Sequence, residues 1–277
     1  MSNRNSTWLA LVAMLAIGCG GDAGDDGATD RQLADAAPAV DPAVAATISG
    51  TVTFTGTVPE PTPIDMSEEP VCNDKHSEPP TSPSVKASDG NLANVFVFVS
   101  EGLGDMTFPT SSDAVVLDQD GCLYRPHVLG IQTGQELTIR NSDAVLHNVN
   151  TRSTENRPFN ISQPQAGMES TRTFNTAEVM IPVGCDVHGW MSAFIGVTAH
   201  PYHAVTGDDG SFSIEGLPPG DYVIEAWHET LGAQTMAVTV GEAETGTADF
   251  NYAENAVYAP VPMTEPLIVS HDSHGAG

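Results

Sequence analysis

The sequence predicts an all-β chain. Apolar residues alternate at period two or gather in short β-branched and aromatic runs, and no long segment carries a helical repeat. The 26 glycines and 20 prolines punctuate the chain at the intervals of sandwich turns. A length of 277 residues with 40% apolar content accommodates two modest domains plus tails.

Taken in order, residues 1–18 read as an export signal. Arg4 lies in a short polar start, and residues 8–17 form an apolar core too short to span a bilayer. Ala16-Ile17-Gly18-Cys19 resembles a bacterial lipobox, which implies that Cys19 becomes a lipidated N-terminus. The Asp-, Gly- and Ala-rich run over 19–45 reads as an acidic flexible tether. Strand alternation begins at 46–56, the Pro-rich stretch 59–83 reads as irregular, and 92–100 reads as a buried strand. Further strands are expected within 204–214, 217–228, 234–240 and 247–252, and residues 254–277 read as a disordered tail.

Chemistry is concentrated in Gly184-Cys185-Asp186-Val187-His188-Gly189-Trp190-Met191 together with the distant His147. A thiolate, an imidazole and a thioether at C-x2-H-x2-M, plus one more imidazole, supply the ligand set of a mononuclear His2Cys copper site with a weak axial Met. If Cys185 ends one strand and the next begins at Ser192, the short connection brings Cys185, His188 and Met191 round one ion. His147 would join them from a second loop, after an apolar strand ends in Asn141-Ser142-Asp143. Zinc seldom recruits Met, and its structural sites take four strong ligands. A dinuclear copper centre would need a second bridging Cys, and a Cys/His nucleophile pair has no accompanying acid or oxyanion-hole motif.

From about 113 to 199 these motifs resemble the cupredoxins of the amicyanin and plastocyanin type. The matching features are Tyr124-Arg125-Pro126-His127-Val128, a Thr133-Gly134-Gln135 turn, the N-S-D…H-N-V stretch and C-x2-H-x2-M. The resemblance implies a Greek-key sandwich with His147, Cys185, His188 and Met191 as copper ligands. It also implies Asn148 as the residue that pins the ligand loop. In such proteins the second histidine reaches the surface, so His188 is the expected electron exit, with Trp190 on an apolar docking face. Gly184 stands where the family often has an aromatic, which argues against exit along the chain beside Cys185.

The pattern T-x-x-x-G-x-F-x-I-x-x-L-P-P-G-x-Y over 206–222, with Gly50-Thr51-Val52 and Asn94-Val95-Phe96-Val97, resembles a carboxypeptidase regulatory-like, transthyretin-type sandwich. The expected organisation is a discontinuous sandwich over 46–106 and 200–253, interrupted by a copper domain over 107–199. The rival is a tandem order in which the first strands join the copper domain. Trp227 reads as a core residue of that sandwich with an exposed edge. His127, His200, His203 and His228 read as hydrogen-bonded surface residues at strand ends in preference to a second metal site, and His271 and His274 as solvated.

Only 9 Lys and Arg stand against 36 Asp and Glu, a formal charge of −27 that excludes a nucleic-acid partner and suits an exported, highly soluble surface. No basic residue follows Arg172. Once Cys19 is assigned to lipid and Cys185 to metal, Cys72 and Cys122 remain as a disulfide in an oxidising compartment. The expected protein is a non-enzymatic electron carrier, exported and anchored at the periplasmic or cell-surface side, the outer membrane favoured. It would exchange electrons with an envelope redox protein, basic in the manner of a cytochrome. Copper binding and delivery is the alternative.

Overall fold

The computed structural model describes residues 40–82 and 84–254; the export signal, Cys19, most of the tether and nearly all of the tail lie outside them. The first segment supplies β1 (Ala46–Thr55), the short helix α1 (Pro70–Asn73), β2 (Ala87–Ser88), β3 (Asn91–Leu92) and β4 (Phe96–Glu101). The second supplies β5 (Val115–Gln119), β6 (Tyr124–Arg125), β7 (Val128–Gln132), β8 (Leu137–Asn141), β9 (His147–Thr151), β10 (Asn160–Gln163), β11 (Met168–Arg172), β12 (Glu178–Gly184) and β13 (Ser192–Thr198). The third supplies β14 (His203–Val205), β15 (Ser211–Leu217), β16 (Gly220–His228), β17 (Gly232–Val240), β18 (Thr245–Thr247) and β19 (Phe250–Ala253).

These strands make four sheets that form two sandwiches. In the first sandwich, β15-β1-β3-β2, with β18 and β19 parallel to β1, faces β14-β4-β16-β17. Both sheets mix strands from either side of the 115–198 insertion, which makes this sandwich discontinuous in sequence. In the second, β10-β9-β12-β13-β7 faces β11-β8-β5-β6, and the pairs β7/β13 and β5/β8 run parallel.

Period-two alternation explains the packing. Along β4, Val97 and Val99 point into the first core with Ile48, Ile224 and Tyr252, whereas Phe96 and Phe98 point the other way. Along β13, Ile195 and Val197 enter the second core with Ile131, Ile139 and Val149, whereas Phe194 joins Phe96, Phe98, Val128, Met180 and Trp227 in a seam between the sandwiches. Two glycines permit this approach. Gly130 and Gly196 are cross-strand partners; a Cβ on Gly196 would lie 2.4 Å from the Phe96 ring, and one on Gly130 would lie 2.3 Å from the His203 ring. Trp227, expected in the core of the first sandwich with an exposed edge, is buried instead in this seam with its ring 5.2 Å from that of Phe194.

The packing crosses the expected bounds: Phe108, placed in the copper domain, packs against the first core. Residues 46–106 do not all belong to the first sandwich: Ile64, Met66 and Cys72 are buried in the second core. The cause is covalent as well as apolar, since Cys72 and Cys122 form a disulfide with Cα atoms 5.5 Å apart. The Pro-rich stretch, over residues 59–82, is therefore a strap laid over the end of the second sandwich that carries His147 and Cys185.

Candidate metal centre

Three polar side chains converge at that end. Asn141 ends β8, and its Oδ1 accepts from the Asp143 N–H at 2.9 Å, closing a turn that needs a short polar side chain. Asn141 Nδ2 donates to the Val145 and Gln163 carbonyls at 2.9 and 2.8 Å, and together these bonds fix where β9 begins with His147. Cys185 lies just past β12 and Met191 just before β13. The connection between them is closed by Cys185 N–H to Met191 O at 3.3 Å and Met191 N–H to His188 O at 2.9 Å.

His147 Nδ1 faces His188 Nδ1 at 3.0 Å, and Cys185 Sγ lies 3.8 Å from the same His188 nitrogen. All three side chains are buried, and their donor atoms lie within 4.8 Å of one another. The far side of the His147 ring is committed. His147 Nε2 meets Asp143 Oδ2 at 3.0 Å and so carries the proton there, which turns a lone pair inward on Nδ1. His188 Nε2 faces Cys72 Sγ at 3.9 Å. Two imidazole lone pairs 3.0 Å apart repel each other unless a proton or a cation lies between them. Nitrogen and sulfur ligands about 2.0–2.3 Å from one ion would sit about 3.5–3.8 Å apart in a trigonal arrangement, so the set fits a metal with a small shift of one ring.

Electrostatics favour a charged thiolate. Burial pushes the Cys185 thiol up, but the neighbouring His147 and the backbone N–H groups of Asn148, His188 and Val187 bring it below its usual value. Burial also opposes a charged His147, yet the Asp143 carboxylate and Cys185 raise its pKa. Burial, then the neighbouring His147, lower that of His188. Asp143 is fully buried, which alone would raise its pKa. Bonds from His147, the Cys122 and Gly121 N–H groups and Lys75 hold it well below the usual carboxylate range.

The expected residues fall as follows. His147, Cys185 and His188 come together, and Met191 is buried in the same core cluster as Cys185. Asn148 Oδ1 accepts from the Asp186 N–H at 2.8 Å, while its Nδ2 donates to Asp186 Oδ2 and Asn160 Oδ1 at 3.0 and 2.7 Å. It thereby ties β9 to the Cys185 loop. His188 does not reach the surface: it is 2% exposed, covered by the Cys72 end of the strap and by Trp190, whose ring centroid is 5.0 Å away. Trp190 is half-buried, with its indole N–H donated to Cys122 O at 3.0 Å. The exposed apolar side chains here are instead chain neighbours of these groups: Val71 beside Cys72, Leu146 beside His147 and Val187 beside His188. Asp143, which sequence reasoning read as a turn former, is the missed member; its position four residues before His147 was the available signal. It also lies with Cys122 and His147 in a second grouping, but Cys122 is spent in the disulfide. Among the described residues, His127, His200, His203 and His228 form no such cluster.

No protein-family model and no curated protein sequence matches the chain. Solved structures do resemble part of it. A copper-containing nitrite reductase from Thermus scotoductus SA-01 is 18% identical over 36% of this chain and 25% of its own, with a TM-score of 0.30. The match therefore spans only about a quarter of that reductase. A Cu(I) amicyanin variant is 21% identical over 32% of this chain and 86% of its own, with a TM-score of 0.28. An oxidised amicyanin variant is 19% identical over 37% and 98%, with a TM-score of 0.29. With scores this low the likenesses carry no functional weight, and the ligand geometry has to stand alone.

Proposed function

We propose that the chain is a mononuclear copper protein that carries single electrons. His147 and His188 would hold the ion through Nδ1, Cys185 through Sγ and Met191 as the weak fourth contact. The observation that supports this most is the pair of inward Nδ1 atoms 3.0 Å apart beside a buried thiol, with the outer nitrogen of His147 fixed by Asp143. Bound there, copper supplies a one-electron couple.

The protein's part is to keep the ligands where both oxidation states can use them. Asp143 orients His147, Asn148 clamps the Cys185 loop, and the strap excludes water from His188. Ligand exposure of 0% for His147, 6% for Cys185 and 2% for His188 suits retention of the ion better than delivery of it. Because His188 is covered, the docking surface in this reading is the apolar rim of Val71, Leu146 and Val187. An envelope partner with basic charge would be steered by the acidic chain, with net charge setting encounter rate more than tightness. Lipidation at Cys19 would hold the carrier at a membrane, the outer one favoured, and no catalytic turnover is assigned to it.

Electron exchange with a small soluble donor, measured beside metal transfer to a chelator, tests the proposal. Fast, reversible reduction with slow copper loss is expected. Rapid Cu(I) release with sluggish exchange would favour copper delivery.

A further inference from the structure

A cleft of about 480 Å³ opens beside the candidate metal centre, a size suited to a small organic molecule. Its walls come from Pro61, Thr81 and Ser82 of the strap, from Val58, Val85, Lys86 and Ala87 beside it, from Asn94, from the 123–127 turn and from Trp190 and Ser192. The first sandwich, the second and the strap all contribute.

Its charge departs from that of the chain. No carboxylate lines the cleft, although Asp and Glu number 36 in the sequence, and two of the 9 basic side chains, Lys86 and Arg125, do line it. Lys86 is held by Asp208 at 2.6 Å. Arg125 uses Nε on the Asp120 carbonyl at 3.2 Å, with the Asp120 carboxylate 3.7 Å away. Its two outer nitrogens make no hydrogen bond among the described residues. A guanidinium with its fork free is suited to a carboxylate.

The other walls are fixed. His127 Nδ1 donates to Ser192 O at 3.0 Å and Nε2 meets Glu229 Oε1 at 2.6 Å, so neither ring nitrogen is left for a ligand. Trp190 is anchored by its N–H to Cys122 O, and with Leu123 it gives an apolar, aromatic side. The same indole lies 5.0 Å from the His188 ring. One side chain therefore borders both the cleft and the candidate ligand.

We propose that this cleft binds a small aromatic carboxylate, its ring against Trp190 and its carboxylate on Arg125. The combination of one free guanidinium with an indole selects for a planar ring bearing one negative charge. A compact inorganic anion would leave the apolar wall unused, and an uncharged ring would leave Arg125 unused. Occupancy would be felt at His188 through the shared Trp190.

Benzoate is the probe, titrated into the full chain with and without copper. Heat of binding and the Trp190 indole N–H resonance are followed. Saturable binding that moves this resonance is expected, at least tenfold tighter than that of benzyl alcohol, cyclohexanecarboxylate or inorganic phosphate. Arg125→Gln should weaken benzoate at least tenfold without altering the far-ultraviolet spectrum, since Arg125 is exposed. Absence of saturable binding, phosphate binding as tightly as benzoate, or an unaltered affinity in Arg125→Gln would overturn the proposal. The benzyl alcohol comparison uses wild-type protein and so decides the charge requirement even if the variant misfolds. Binding to the copper-free chain does not depend on the copper reading, so either can fail alone.

Discussion

Asp143 shows how much of the centre is set by single residues outside the ligand motif. Its carboxylate receives bonds from His147, from the Gly121 and Cys122 N–H groups at 3.0 and 2.7 Å, and from Lys75 at 3.0 Å. It therefore joins the first ligand, the disulfide and the strap. Asp143→Asn keeps the shape but weakens the hold on the His147 tautomer. Copper affinity should fall roughly 10–100-fold, as for other residues behind a ligand. Competition against a chelator of known strength measures it, and an unchanged affinity would deny Asp143 this role. The candidate ligands stood out in C-x2-H-x2-M because soft thiolate, imidazole and thioether rarely gather by chance. Asp143 was not, because an acid in an Asn-Ser-Asp turn already has a sufficient local explanation.

At the scale of elements, the strap alters what the motif alone implies. A Pro-rich stretch carries no periodicity, so its path could not be read from pattern. The sequence reading keeps this stretch with the first sandwich; in the structure the Cys72–Cys122 disulfide and the buried Ile64 and Met66 place it against the second core. Opening a loop of 50 residues removes a constraint on the unfolded chain worth on the order of 4 kcal/mol in the chain-entropy description. The double variant Cys72→Ser, Cys122→Ser should thus unfold at lower urea concentration. His188, buried in the native protein, should become reactive toward an imidazole-modifying reagent. A native-like midpoint together with a protected His188 would show that Lys75–Asp143 and apolar packing hold the strap without the bond.

For the whole molecule, the seam between sandwiches is where the sequence was hardest to read. Residues 92–100 showed as one apolar run because Val97 and Val99 serve one core while Phe96 and Phe98 serve the seam. Nothing in the pattern told a two-sided strand from an ordinary buried one. Two histidines have pKa values lowered to about 4, chiefly by burial: His203, half-buried with its ring 5.7 Å from that of Phe96 in the seam, and His228, buried on the Tyr252 side of β16 and not at the surface. His228 Nδ1 accepts the Thr230 and Leu231 N–H groups at 3.1 and 3.2 Å, an arrangement that only the neutral ring can make. The unfolded chain binds these protons near pH 6.5 and the folded one near 4. Stability should therefore be full above about pH 6.5 and decline as pH falls toward about 4, by roughly 3 kcal/mol per histidine at most. Asp143, Glu178 and Asp186 have lowered pKa values, so their contributions are lost only at still lower pH. Urea midpoints from pH 7.5 to 4.5 check this. His228→Asn, which keeps an acceptor but does not titrate, should flatten the slope, and an equally steep profile would remove His228 from the account.

The central claim is that Cys185, His147 and His188 hold one copper ion. Its most direct test is the visible spectrum of the purified chain after addition of one equivalent of Cu(II). The account predicts an intense thiolate-to-copper absorption that saturates at one ion per chain and vanishes in Cys185→Ser. A colourless wild-type complex, or a band that survives in Cys185→Ser, would contradict it.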